Sequence, residues 1–384
     1  MLWAFLKPVI SLYELYSKTK TVSARQGSRM YGGGYGMVVF FAAFLLSIIF
    51  VLITIKYCGR HNIYDEVNSR KVHDGNIPRL GGIGIFLSFA IVSAAYVVFF
   101  RRDNFVSFLP VLVAFTLIFV FALLDDLINL HALLKLLFQV IAALMVALSQ
   151  MYFKNFLGFT IPPLLGRAMT FMWILLCINA FNLIDGIDWL CSGISFLSLL
   201  TLGIVQLLLG STTHPFYFIL AGAVLGFMVW NKPPAKIFLG DSGSQTLGFA
   251  IAAFPLLDSS NPKFEYSKII ALFLLASIPV TDVVAAIFRR TREHRFWFAP
   301  DKGHIHHKLL NIGFLKTTAV FFLLMIQTMI SIVIIGSYFM SERSAIIVLL
   351  VANIFVEVIF IMFHYLNYEV NRKHQGHLQN YTQE

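Results

Sequence analysis

The sequence predicts an all-α, polytopic integral membrane protein with about eleven transmembrane helices. Of the 384 residues, 58% are hydrophobic and only 12% are charged, which is more apolar surface than one soluble core can bury. The apolar runs recur along almost the whole chain and leave no long polar stretch between them. The bilayer must therefore act as the solvent for most of this chain.

Eleven mainly apolar runs of about 16 to 23 residues have the length that a hydrocarbon core of about 30 Å requires. The runs begin near Met37, Gly81, Phe105, Leu133, Ala168, Gly193, His214, Gly243, Lys268, Thr318 and Ser344. We expect them to form one membrane domain over 37–366. The segment 1–36 predicts an interfacial helix and a flexible, glycine-rich connector, and 367–384 predicts a polar cytoplasmic tail.

The loops can be assigned to sides because eleven spans alternate across the membrane. One face holds 17 of the Lys and Arg residues and the opposite loops hold seven, so the positive-inside rule places the first face in the cytoplasm. All the polar motifs described below lie on that face. The net charge of +10 does not indicate nucleic acid, because the basic residues flank apolar runs, where they set topology or meet phosphates.

The third span ends in two adjacent carboxylates, Asp125 and Asp126. Acids at the end of an apolar run carry a desolvation cost that a cation would relieve. Lys135 and Gln139 follow at helical spacing and would point toward the same region. These features predict a functional carboxylate pair, and the alternative is a solvated helix end.

The fifth span ends in the segment NAFNLIDGID, which spaces its polar side chains at three-residue steps. Asn182, Asp185 and Asp188 would lie near one helix face, and Gly186 would let the backbone turn tightly. Two carboxylates and an amide suit recognition of a hydroxyl or imide group as well as a metal ion. The alternative is a turn that only ends the helix.

After the seventh span, the segment KIFLGDSGS places Asp241 between glycines just before a new helix. Backbone N–H groups at a helix start favour anions, and an aspartate there can bring a divalent cation to the same phosphate. The motif is short, and its position on the same face as the other carboxylates gives it weight.

The loop after the ninth span combines basic residues with histidines. Arg289 and Arg292 end the span, and His304, His306 and His307 follow in the segment PDKGHIHHK. Three histidines within four residues could bind zinc, but no cysteine lies nearby and the flanking lysines favour an anionic partner. The prediction is phosphate contacts, with zinc and a plain solvated loop as alternatives.

These segments resemble the polyprenyl-phosphate N-acetylhexosamine-1-phosphate transferases, integral membrane enzymes of glycosyltransferase family 4 that begin bacterial glycan synthesis. The resemblance covers about 65–313 and rests on five motifs in the family's order: RKVH…PRLGG, DDLINLHALLKLLFQ, NAFNLIDGID, FLGDSGS and PDKGHIHHKLL. The segment HIHHKL is similar to the branch that uses UDP-N-acetylglucosamine, whereas the peptidoglycan branch usually has three consecutive histidines. Trp189 departs from the pattern, because the family usually has glycine there, and its ring could reshape the donor pocket.

The resemblance implies transfer of a sugar 1-phosphate from a UDP-N-acetylhexosamine donor to a polyprenyl phosphate acceptor in the bacterial inner membrane, with Mg²⁺ or Mn²⁺ as cofactor. It implies that Asp241 and Asp126 hold the metal and that Asp125 is the general base, with a covalent phosphosugar-aspartate intermediate as an alternative. It implies the following substrate-binding residues: Lys71, His73, Lys135, Asn182, Asp185, Asp188, Arg289, Arg292, His304, His306 and His307. The oligomeric state stays open, and a homodimer is one option.

Two other functions remain as alternatives. A phospho-N-acetylmuramoyl-pentapeptide transferase would use the same motifs with a different donor. An ion-coupled transporter would also carry acids in apolar helices, but it should place them near the bilayer midplane, often in paired halves. Here the acids lie at span ends on one side and no internal repeat is visible, which favours the enzyme.

Overall fold

The computed structural model of this chain describes residues 32–64, 77–100, 108–257, 262–294 and 303–381. Within them lie thirteen α-helices and one short hairpin. The helices are α1 Gly32–His61, α2 Gly81–Phe100, α3 Leu109–Ile128, α4 Ala132–Ala147, α5 Pro163–Ile184, α6 Leu190–Leu208, α7 His214–Asn231, α8 Gly240–Ala253, α9 Pro262–Leu275, α10 Ser277–Arg292, α11 Ile305–Asn311, α12 Lys316–Ser337 and α13 Glu342–Tyr381. The hairpin strands, β1 Asn155–Phe156 and β2 Phe159–Thr160, pair antiparallel between α4 and α5.

The prediction of an all-α, multi-pass membrane protein is confirmed, and the number of full spans is smaller than eleven. A helix lies at each of the eleven predicted places. Among the described residues, however, only eight helices are long and apolar enough to cross a membrane alone, or nine if the bent pair of α9 and α10 forms one span. The exceptions are α4, with 16 residues, α8, with 14, and that pair, which bends by 66°.

The short helix α8 lies inside the bundle. Thirteen of its 14 residues are buried, and it contacts α2, α3, α5 and α6. A 3₁₀ turn, Phe254–Leu257, continues from its C-terminal end. Its glycines and serines permit close helix packing, so neighbouring protein, and not lipid, surrounds it. The first turn of α8 therefore begins in the middle of a ring of longer helices.

The outer helices show the opposite pattern, with large apolar side chains on their outward faces. On α13, for example, Ile354 and Ile361 are exposed, as expected for side chains that meet lipid tails.

Two of the predicted segment boundaries differ from the structure. Helix α1 begins at Gly32, inside the predicted connector, and α13 continues to Tyr381, through most of the predicted tail. The predicted interfacial helix falls on residues that lie outside the described ranges.

Candidate active site

The N-terminal end of α8 is held by an aspartate from the last turn of α3. Asp126 Oδ1 accepts a hydrogen bond from the backbone N–H of Asp241 at 2.8 Å, and its Oδ2 accepts one from Ser242 N–H at 2.9 Å. The side chain of Asp126 is fully buried. Backbone N–H groups at a helix start have no partner within the helix, so this carboxylate holds the start of α8 in place. The same two hydrogen bonds fix the orientation of the Asp126 side chain.

Arg79, in the turn that precedes α2, joins this aspartate to Asp241. Its Nη2 lies 2.7 Å from Asp241 Oδ1, and its Nε lies 3.2 Å from Asp126 Oδ1. The backbone is close as well, since a Cβ atom added at Gly240 would lie 2.3 Å from the carbonyl oxygen of Arg79. Gly240 also has a φ of +76°, which a side chain disfavours. These two constraints explain why glycine precedes Asp241.

Lys135 completes the cluster from the first turns of α4. Its Nζ forms an ion pair with Asp125 Oδ2 and lies 3.7 Å from Asp241 Oδ2. The other oxygen of Asp125 accepts the backbone N–H of Leu130 at 2.8 Å. The predicted proximity of Lys135 to the carboxylate pair is thus seen directly. We call Asp125, Asp126 and Asp241, together with Arg79 and Lys135, the acid cluster.

Three amide side chains form a series of hydrogen bonds that ends on Asp241. Gln245 Nε2 donates to Asp241 Oδ2 at 3.3 Å, Gln139 Nε2 donates to Gln245 Oε1 at 3.0 Å, and Asn179 Nδ2 donates to Gln139 Oε1 at 3.0 Å. The three amides come from α8, α4 and α5. Each amide orientation is fixed by the next, so Asp241 is held by a directed relay of hydrogen bonds.

The end of α5 contributes the next predicted residues. Asn182 Nδ2 donates to Ser244 Oγ at 3.1 Å, and Ser244 Oγ donates to the Gly240 carbonyl at 3.0 Å. Asp185 follows as the C-terminal cap of α5. Burial, and then the charge of Asp241, raise the pKa of Asp185 to about 8, as expected for a carboxylate near like charges.

The two residues that follow have local partners. Asp188 Oδ2 accepts the backbone N–H of Ala235 at 3.1 Å, which ties the α5–α6 turn to the α7–α8 loop. Trp189 has a φ of +70°, the left-handed conformation that favours glycine, and this accounts for the glycine expected there. Its indole Nε1 donates to the Met228 carbonyl at 2.8 Å, and its ring meets Phe321 edge-on at 6.2 Å. The tryptophan ring therefore packs against α7 and α12.

The histidines of residues 303–308, which we call the histidine loop, pack against the same turn. The rings of His304 and His306 are nearly parallel, with centroids 5.9 Å apart. A Cβ atom added at Gly186 would lie 2.6 Å from His306 Nε2, so only glycine leaves room for this ring. Burial, and then neighbouring His307, lower the pKa of His306 to about 3. Its ring is therefore neutral at physiological pH.

Two further residues hold the histidine loop on α10. Asp282 Oδ2 lies 2.8 Å from His304 Nδ1, and Asp282 Oδ1 accepts the backbone N–H of Ile305 at 2.8 Å. Gly303 lies against Arg289, because an added Cβ atom would be 2.6 Å from Arg289 Nε. Arg292 is exposed on the last turn of α10.

The structure thus brings most of the predicted site residues together at one end of the bundle. The acid cluster joins the segment before α2 to α3, α4 and α8. Asn182 connects the cluster to α5, and His306 connects the α5–α6 turn to the histidine loop. Lys71 and His73 lie outside the described residues. Arg79, Gln245 and Asp282 were not predicted as site residues. The signal for Arg79 was the motif PRLGG, and the signal for Asp282 was a charge inside an apolar run.

The aspartate oxygens of this site suit a divalent cation that the phosphates of a substrate also bind. Arg79 and Lys135 form ion pairs with Asp125, Asp126 and Asp241, and Asp185 adds a fourth carboxylate close to Asp241. Within the described part of the chain, no three His, Cys, Asp or Glu side chains form a complete metal site. Mg²⁺, however, is commonly bound by one or two carboxylates and by phosphates of the substrate. Asp241, whose side chain is 16% exposed, suits this better than fully buried Asp126.

Comparisons with known proteins show the family of this chain. A Bacillus subtilis protein named "probable undecaprenyl-phosphate N-acetylglucosaminyl 1-phosphate transferase" is 32% identical over 337 residues, which is 84% of this chain and 90% of the relative. A family model described as "Glycosyl transferase family 4" matches residues 108–258. The chain belongs to glycosyl transferase family 4. The segment that matches the family model contains all three carboxylates of the acid cluster.

Two further relatives in the family come from other bacteria. The undecaprenyl-phosphate alpha-N-acetylglucosaminyl 1-phosphate transferase of Salmonella typhi is 30% identical over 290 residues, 72% of this chain and 77% of the relative. The Escherichia coli K12 protein of the same name is 29% identical over 294 residues, with the same coverage. The family resemblance stated from the five motifs is therefore confirmed.

Proposed function

We propose that this protein transfers N-acetylglucosamine 1-phosphate from UDP-N-acetylglucosamine to undecaprenyl phosphate, giving undecaprenyl-diphosphate-N-acetylglucosamine and UMP. The acid cluster is the observation that carries the proposal, because it places three carboxylates and two cations at the ends of apolar helices. The names of the relatives support the acceptor and the sugar.

The location of the cluster suits two substrates of different solubility. A polyprenyl acceptor stays in the bilayer, whereas a nucleotide sugar stays in water, so their phosphates can meet only at a membrane edge. Arg79, Lys135 and Arg289 lie at this end of the bundle, and by the positive-inside rule these basic residues support a cytoplasmic site in the inner membrane. A homodimer remains a prediction of the family resemblance.

The residues of the acid cluster divide the chemistry between them. An oxygen of the acceptor phosphate attacks the β-phosphorus of the donor, and the bond from that phosphorus to UMP breaks. Asp125 takes the proton that the acceptor monoester carries when it is protonated. Arg79 and Lys135 offset negative charge as the phosphates approach. Asn182, Asp185 and the histidine loop contact the uridine and the sugar.

A divalent cation, Mg²⁺ or Mn²⁺, would be held by Asp241 and the donor phosphates. When bound, it supplies positive charge to the diphosphate and to the leaving UMP. The four carboxylates and the raised pKa of Asp185 support such a cation, because like charges are costly to hold together without one. Asp126 serves as the cap of α8 and fixes the position of Asp241.

The test uses purified protein in nanodiscs with undecaprenyl phosphate, Mg²⁺ and a panel of UDP-sugars. We expect release of UMP and a lipid-linked sugar with UDP-N-acetylglucosamine, and no product in excess chelator. A lipid product formed only from UDP-N-acetylmuramoyl-pentapeptide would replace the proposed donor. Uptake of a UDP-sugar into proteoliposomes without UMP would instead support a transporter.

A further inference from the structure

Asp282 is an acid inside the apolar helix α10, and it lies outside the acid cluster. It is 2% exposed, and both of its oxygens have partners in the histidine loop. Oδ1 accepts the backbone N–H of Ile305, and Oδ2 meets His304 Nδ1, each at 2.8 Å. His304 is itself only 6% exposed. A buried carboxylate is costly unless its hydrogen bonds are satisfied, and these two contacts satisfy it.

The two contacts have different consequences for the histidine loop. The bond from Ile305 N–H caps the start of α11, which is a structural effect. The bond to His304 requires hydrogen on Nδ1, because a carboxylate only accepts. The ring is then fixed in orientation, and Nε2 is the nitrogen that remains for a substrate.

We propose that Asp282 is a positioning residue, which keeps hydrogen on His304 Nδ1 and presents His304 Nε2 to the donor substrate. Its partner is 22 residues further along the chain, so the contact connects α10 to the loop. The proposal deepens the proposed function, on which its kinetic readout rests. For histidines that bind a metal, loss of the carboxylate that holds the other ring nitrogen commonly lowers activity by about 10- to 100-fold, and we expect a loss in the same range here.

The variant Asp282→Asn separates the two contacts. Its amide oxygen can still accept the N–H of Ile305, which leaves the NH₂ group facing His304 Nδ1. The ring must then carry its hydrogen on Nε2, so Nε2 can no longer accept a hydrogen bond from the substrate. Asp282→Ala removes both contacts. A purely structural cap would be kept in Asp282→Asn and lost only in Asp282→Ala.

We expect kcat of Asp282→Asn to fall about 10- to 100-fold with little change in thermal stability. In a His304→Gln background, adding Asp282→Asn should change kcat by less than about twofold, because the two residues act as one unit. Thr281→Val is the matched control, since Thr281 Oγ1 donates to Glu357 on α13, away from the loop. Wild-type kcat in Asp282→Asn, or independent effects in the double variant, would overturn the proposal.

A second readout does not depend on activity. In protein labelled with ¹⁵N-histidine, the His304 signal, assigned by its loss in His304→Gln, should show hydrogen on Nδ1 in the wild type and on Nε2 in Asp282→Asn. The same nitrogen protonated in both proteins would refute the proposal. If wild-type protein formed no lipid-linked sugar, the proposed function would fail, while this measurement would still decide the role of Asp282.

Discussion

The acid cluster and the histidine loop meet at the same end of the bundle but are held in different ways. Three carboxylates of the acid cluster are each tied to backbone N–H groups or cations from other helices. In the histidine loop, Asp282 holds His304 and Ile305, and the rings pack on each other and on glycine. The acid cluster therefore fixes charge, whereas the histidine loop supplies the neutral ring of His306 and shape.

This difference suggests a division of labour between reaction and recognition. Fixed charges that need no rearrangement suit phosphoryl transfer, in which charge builds on the leaving group. A neutral ring such as that of His306 suits discrimination between sugars, because it adds directional contacts without attracting every anion. Substitutions in the acid cluster should thus mainly lower kcat, and substitutions in the loop should mainly change the choice of donor.

The largest expected effect comes from Asp241→Asn. This change removes the most exposed carboxylate of the acid cluster while leaving the shape of the side chain, and we expect the rate of UMP release to fall by about 10³-fold. The measurement is UMP formation in nanodiscs, with folding checked by gel filtration and thermal unfolding. Glu357→Gln, an acid on α13 that pairs with Thr281, serves as the control. Near-normal turnover of Asp241→Asn would contradict the assignment.

A smaller loss is expected from Arg79→Lys. The variant keeps the positive charge, but lysine cannot bridge two carboxylates with a fixed fork of donors, so kcat should fall by about 10- to 100-fold. Lys236→Met removes a positive charge that lies over the Trp230 ring, outside the cluster, and should retain activity. Equal losses in both variants would mean that only the total charge at this end matters.

The pH dependence of the free energy of unfolding should have opposite signs for His306, in the histidine loop, and Asp185, beside the acid cluster. The neutral His306 ring, with its pKa lowered to about 3, binds fewer protons than the unfolded chain below pH 6.5. Stability therefore falls as pH drops from about 6.5 toward 3, by about 1.4 kcal/mol per pH unit. Asp185 acts oppositely, because its pKa is raised to about 8. Its contribution is lost as pH rises from about 4 toward 8.

Unfolding in detergent, without divalent cations, at pH 5.0 and 7.5 checks both signs. His306→Asn should stabilise the protein relative to wild type at pH 5.0 more than at pH 7.5. Asp185→Asn should stabilise the protein relative to wild type more at pH 7.5 than at pH 5.0. The same pH trend in both variants would show that the two regions do not differ in the way described.

The smallest effect is expected from Trp189→Gly. Glycine relieves the left-handed backbone but loses the bond to Met228 and the contact with Phe321, so kcat with UDP-N-acetylglucosamine should stay within about threefold. The donor preference should not change, since the ring packs between helices. A changed preference across the UDP-sugar panel would place this ring in the donor pocket after all.

The sequence predicted much of the fold, because apolar length and order determine where membrane helices form. It could not show that α8 is enclosed by protein, since a run of 14 residues looks similar whether lipid or other helices surround it. The count of full spans depends on that distinction. The bend between α9 and α10 lies at Ala276, three residues before Pro279, which has no N–H and leaves the Leu275 carbonyl to accept a hydrogen bond from Gln327 Nε2 at 3.0 Å. Pro279 was therefore a local signal for this bend in the apolar run.

The candidate site was predictable where a motif carries its own chemistry. Asp125, Asp126, Asp241 and Lys135 were found because acids and a lysine at span ends are costly and uncommon. Arg79 was missed as a bridge because a basic residue beside a span also reads as a topology signal. Asp282 was missed because its partner, His304, lies 22 residues away, and only the folded chain brings the two together.

An experiment that follows the β-phosphate of the donor is the most direct test of the central claim, which is that the phosphate moves together with the sugar. Purified protein should be incubated with undecaprenyl phosphate, Mg²⁺ and UDP-N-acetylglucosamine that carries ³²P in the β-phosphate, beside Asp241→Asn. The account predicts that the label moves into the lipid fraction in equal amount to the UMP released, and that the variant shows neither. Label that stays in water as UDP while the sugar enters the lipid would contradict transfer of a sugar 1-phosphate.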